Sequence, residues 1–98
     1  MTLLETLYKH LRYNDLTANA EHFSTHYLNK SRSWYAVQTH EGRDFSTSAA
    51  IHCLRTIRLF SNEPALSNEQ KKALETAEQR LSNHLFEKNR IITIADCK

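Results

Sequence analysis

One glycine, Gly42, and one proline, Pro64, serve a chain of 98 residues. Strand-rich folds need glycine at their turns, so this scarcity argues against a sandwich or barrel. It favours helices with short connections. The two cysteines, Cys53 and Cys97, lack the number and spacing of a disulfide framework or a zinc site. Thiols of that kind fit a reducing compartment, and a cytoplasmic location is expected. No apolar run approaches the ~20 residues of a membrane span. Met1–Tyr13 lacks a basic start followed by an apolar core and a small-residue cleavage site, so no leader is expected. Glycine-rich phosphate loops, a serine-centred elbow and paired carboxylates are also missing. The expectation is a non-enzymatic protein without a cofactor.

What the chain does contain is helix-forming sequence: Ala, Leu, Glu, Gln, Arg and Lys are plentiful. Thr2-Leu3-Leu4-Glu5 is a capping box, and Leu4, Leu7, Tyr8 and Leu11 recur at helical spacing. This predicts a helix over Leu3–Tyr13, ended by Asn14-Asp15. Thr17 is placed to cap a second helix with Ala20, Phe23 and Tyr27 inward and Leu16 and Leu28 at its ends. Asn29 suits a left-handed turn. Ser31 then caps a third helix carrying Trp34, Tyr35 and Val37, which Gly42 stops. A fourth helix, capped by Asp44 or Ser46, carries Ala50, Leu54 and Ile57, with Ile51, Cys53 and Phe60 alongside, and breaks before Pro64. Ser67-Asn68-Glu69-Gln70 is a second capping box, opening a long helix over about Asn68–Asn89. The β-branched run Ile91-Ile92-Thr93-Ile94 favours an extended tail. The fold class expected is all-α: one compact five-helix domain over residues 1–98, with a helix-turn-helix-like pair, a long C-terminal helix and a short extended tail.

Charge is uneven along the chain. Before residue 61 the basic groups Lys9, Arg12, Lys30, Arg32, Arg43, Arg55 and Arg58 outnumber Glu5, Asp15, Glu21, Glu41 and Asp44. From Ser61 onward the two signs balance. The lean is toward a polyanionic partner, though mild for a nucleic-acid-binding domain.

Residues 17–60 carry a recognisable order. Phe23-Ser24 is an aromatic–small pair, Leu28-Asn29-Lys30-Ser31-Arg32-Ser33 reads as a turn and a helix start, Glu41-Gly42 ends that helix, and Phe45–Leu59 follows behind it. In these features the segment resembles the Cro/repressor-type helix-turn-helix family. It has one residue more than that pattern between Phe23 and the turn, another between Ser31 and Gly42, and Asn29 in place of the turn glycine. The architecture is also similar to small uncharacterised bacterial proteins of mobile elements. The resemblance implies a regulator-like protein that sets helix 31–41 in the DNA major groove. The residue chemistry suits that role. Ser31 and Ser33 offer hydroxyls to phosphate oxygens, and Lys30, Arg32 and Arg43 can neutralise phosphates. Gln38 can pair with adenine, and Tyr35 can touch a thymine methyl or a sugar. The alternative is a non-catalytic, homodimeric interaction or accessory module that binds no DNA.

Other groupings are weaker. His22 and His26 have the four-residue spacing of a metal pair, but Phe23 follows the first histidine where zinc proteases need Glu. Solvated or hydrogen-bonded histidines are expected, and no metal. Cys53 beside His52 cannot form a nucleophile–base pair, because adjacent helical residues point about 100° apart; Cys53 is expected in the core. Residues 66–98 carry Leu74, Ala77, Leu81 and Leu85 in a stripe, followed by Ile92 and Ile94. This is read as a homodimer interface, with docking of the stripe on the protein's own core as the alternative.

Overall fold

The computed structural model describes residues 2–88. Five helices follow in order: α1 (Leu3–Tyr13), α2 (Ala20–His22, continued by a π turn over Phe23–Tyr27), α3 (Trp34–His40), α4 (Thr47–Phe60) and α5 (Asn68–Lys88). No strand occurs among the described residues. The expected all-α class holds. The tail residues Ile92 and Ile94 lie outside the described residues.

One capping box forms in full and the other by half. Thr2 Oγ1 accepts the Glu5 N–H at 3.2 Å. Ser67 and Gln70 exchange bonds, each backbone N–H going to the other's side-chain oxygen at 3.1 Å. Three helix ends turn on a single left-handed residue: Asp15 (φ 57°), Asn29 (φ 54°) and Gly42 (φ 71°). After Asp15 the Leu16 N–H returns to the Leu11 carbonyl at 2.9 Å, and after Gly42 the Arg43 N–H returns to Gln38 at 2.8 Å. These bonds satisfy carbonyls that a helix end otherwise leaves open.

The caps in the middle of the chain differ from expectation. Asn19, not Thr17, caps α2, its Oδ1 accepting the His22 N–H at 2.9 Å. Thr17 is buried instead, and its hydroxyl shares a 2.7 Å hydrogen bond with His22 Nδ1. Ser31 does not cap α3, which begins at Trp34. Its Tyr35 N–H is met from behind by Ser24 Oγ at 3.0 Å. Ser46 caps α4, while the Asp44 carboxylate turns to α1, accepting the N–H groups of Leu4 at 2.9 Å and Leu3 at 3.4 Å.

The second helical segment is not one regular helix. At Phe23–Tyr27 it widens, and the Leu28 N–H reaches back five residues to Phe23 at 3.2 Å. The wider turn brings Phe23, Ser24, Tyr27 and Leu28 into the interior together. The Tyr27 hydroxyl donates to the Leu16 carbonyl at 2.7 Å. The core then closes with Leu4, Leu7 and Leu11 of α1, Ala49, Ala50, Cys53 and Ile57 of α4, and Ala73, Leu74, Ala77 and Leu81 of α5. On α4, Leu54 is only half-buried and Ile51 is exposed, so the inner stripe is rotated from the expected one.

The stripe assigned to a dimer interface is spent internally. Leu74, Ala77 and Leu81 have no solvent exposure, and Leu85 packs against the same core. Helix α5 lies on α4 and α1, so its narrow apolar face is covered within one chain. His10 Nε2, donating to the Ala73 carbonyl at 2.9 Å, and Gln70 Nε2, donating to Asn14 at 3.1 Å, fix its start against α1.

Tyr27→Phe removes one buried hydroxyl and leaves the Leu16 carbonyl without its donor. The expected loss is about 1–2 kcal/mol, a fall in melting temperature of roughly 5–10 °C for a domain of this size. Calorimetry checks this, and an unchanged melting point would show that the bond contributes nothing net.

Candidate functional site

α3 is short, and its sequence decides which side shows. Trp34, Tyr35, Gln38 and Thr39 turn toward the protein, leaving Ser33, Ala36, Val37 and His40 as the exposed stripe. Tyr35 lies in an aromatic cluster, its ring centre 4.6 Å from Tyr8 and 5.6 Å from Phe23. Burial, with smaller contributions from Glu5 and Tyr8, pushes its hydroxyl pKa up to about 12. Gln38 Nε2 donates to the Asp44 carbonyl at 3.0 Å, tying α3 to the loop that caps α1. The polar edge expected to read bases is therefore different: Tyr35 and Gln38 hold α3 in place, and the outward positions are small or apolar except for His40.

The remaining residues of the set divide among three places. Ser31, Arg32 and Ser33 line an open groove of about 550 Å³ with Ala20, Glu21 and Ala36, where the starts of α2 and α3 meet. Arg32 Nε lies 4.0 Å from Glu21 Oε1, both side chains largely exposed. Arg43 sits beyond the end of α3, 3.3 Å from Glu41. Exposed pairs of this kind are weak and leave both partners free to exchange. Lys30 turns away from the groove, its ammonium donating to Ser48 Oγ at 3.1 Å and lying 5.8 Å from the centre of the Trp34 ring.

Two sequence readings were incomplete here. Glu21 beside Arg32 joins residues eleven apart, which no local pattern reveals. The cluster of Lys30 with Ser48, His52 and Arg55 was legible in part, since spacings of four and three put the last three on one face of α4, opposite Ala49, Cys53 and Ile57.

The histidine and cysteine groupings resolve simply. His22 and His26 stack with ring centres 4.9 Å apart. Among the described residues no group of three His, Cys, Asp or Glu side chains is placed to hold a metal ion. Cys53 is fully buried, and burial drives its thiol pKa far above the ordinary range, which suits a core residue and opposes thiolate chemistry. The His26 pKa is lowered, first by burial and then by the neighbouring charges of His22 and His52. No helix among the described residues is long and apolar enough to cross a membrane.

The His26 shift has a signed consequence. Below pH 6.5 the unfolded chain takes up a proton at this position more readily than the folded one. Stability is then full above that pH and falls as the pH drops through the lowered folded value. Thermal melts across this range are expected to show His26→Asn with a shallower acid-side decline than the parent. Parallel curves would remove His26 as the source.

Comparison with known proteins adds a lineage. No curated protein and no solved structure matches the chain. A family model described as "Family of unknown function (DUF6626)" matches residues 4–93, nearly the whole sequence, and the chain belongs to that family.

Proposed function

We propose that the protein is a small, non-catalytic DNA-binding protein of the regulator type, meeting duplex DNA through the groove between the starts of α2 and α3. The observation that carries this reading is the exposure of Ser31, Arg32 and Ser33 together at one open edge. Next to it runs the outward stripe of α3, which is free of acidic residues. Hydroxyls and a guanidinium there suit phosphate oxygens. Ala36 and Val37 are of a size and polarity to lie against thymine methyl groups. Tyr35 and Gln38 drop out of the contact set, Lys30 lies outside this groove, and Arg43 stays as a flanking phosphate contact.

Glu21 makes the proposal sharply testable, because its carboxylate opposes phosphate and competes for Arg32. In fluorescence anisotropy with a mixed-sequence duplex, affinity is expected to fall steeply from low to moderate salt. Arg32→Ala should weaken binding and reduce the salt slope by about one. Glu21→Gln should strengthen binding. No binding at low salt, or no response to either substitution, would sink the idea.

The second reading, a homodimeric accessory module without a DNA role, draws support from apolar groups left outside. Ile51 is 47% exposed and Leu59 is 69% exposed on α4, and Phe86 is 54% exposed near the end of α5. A partner copy would cover these groups rather than the α5 stripe. Light scattering is expected to give a dimer mass that Leu59→Asp converts to monomer. A parent protein that is already monomeric refutes the homodimer.

A further inference from the structure

The left-handed turn at Asn29 sends Lys30 over the first turn of α4. There a second concavity of about 270 Å³ forms, lined by Leu28, Asn29, Lys30, Ser48, Ile51, His52 and Arg55. No carboxylate lines it. Arg32, Arg43 and Arg58 each have an acidic group within 4.0 Å. Lys30 and Arg55 have none among the described residues, although both border the same hollow. Two cations left without a counter-charge in one concave place concentrate positive potential there.

Two of the side chains there are held, Lys30 and His52. The Lys30 ammonium is fixed by Ser48 Oγ on one side and the Trp34 ring on another. The His52 ring is fixed by its Nδ1, 3.1 Å from the Tyr27 carbonyl. A carbonyl only accepts, so Nδ1 carries the hydrogen and Nε2 is the ring's remaining polar atom. An ammonium, a guanidinium, a hydroxyl and a side-chain amide together offer donors to a compact oxyanion. Leu28 and Ile51 supply an apolar wall beside them. Ordering Lys30 and His52 in advance reduces what a ligand must freeze on binding.

We propose that this pocket binds a phosphate group. It is separate from the groove at Arg32, and loss of the DNA reading leaves it standing. A phosphate reaches such a pocket either on a free phosphorylated small molecule or on a nucleic-acid backbone.

Amide NMR of the intact chain, with ionic strength held constant by sodium chloride, tests the assignment and separates the sources. Inorganic phosphate is expected to shift the signals of Asn29, Lys30, Ser48 and Arg55 saturably. Lys30→Gln and Arg55→Gln should each weaken that response about ten-fold, the loss of one charge-assisted hydrogen bond. Arg32→Gln should leave it unchanged, and the spectrum of each variant reports whether it is folded. A short DNA duplex that shifts the same signals at lower concentration identifies the backbone phosphate as the source. Response to inorganic phosphate with none to the duplex identifies a free phosphorylated ligand. Absence of any saturable shift with both probes, or equal weakening by Arg32→Gln, overturns the proposal.

Discussion

Between Phe23 and Tyr27 the backbone takes a wider turn than an α-helix, and four contacts in four directions depend on it. Ser24 presents its hydroxyl to the start of α3. The Tyr27 hydroxyl secures the loop that leaves α1. The Tyr27 carbonyl holds His52 of α4. Phe23 joins Tyr8 and Tyr35 between α1 and α3. In a regular α-helix, positions 23, 24, 27 and 28 also lean to one side, but the widened turn deepens that side and buries all four at once.

From that hub α3 is fixed at both ends. Ser24 takes a backbone donor at its beginning. Past its end, Gln38 holds the Asp44 carbonyl while the Asp44 carboxylate caps α1. A helix of two turns has little stability of its own, so these outside contacts set which side is exposed. They turn Tyr35 and Gln38 inward and leave Ser33, Ala36, Val37 and His40 facing solvent.

The charge pattern follows from the same packing. α3 and α4 contain no acidic residue. Opposing charge comes from elsewhere, at Glu21 beside Arg32 just before α3 and at Glu78, 2.8 Å from Arg58 of α4. Lys30 and Arg55 escape that neutralisation because the turn at Asn29 brings no carboxylate with it. Among the described residues two cationic places thus differ in character: an exposed edge tempered by a glutamate, and a hollow without one.

The helices were readable from the sequence wherever local chemistry governs them. The Thr2 cap and the Ser67–Gln70 capping box set the starts of α1 and α5, the spacing of Leu4, Leu7 and Leu11 gave the inner face of α1, and Asn29 and Gly42 marked the turns, because positive φ suits few other residues. What the sequence could not reveal were choices among equivalent local partners. Thr17 and Asn19 both suit a cap, as do Asp44 and Ser46; the Thr17 hydroxyl went to the His22 ring, and the Asp44 carboxylate to the start of α1, forty residues away. The stripe of Leu74, Ala77 and Leu81 looked the same for a partner chain as for its own core, since apolar burial carries no address. Only the tertiary structure, by laying α5 across α1 and α4, decided that these side chains close the core of their own chain, and by widening one turn, which edge of α3 meets the outside.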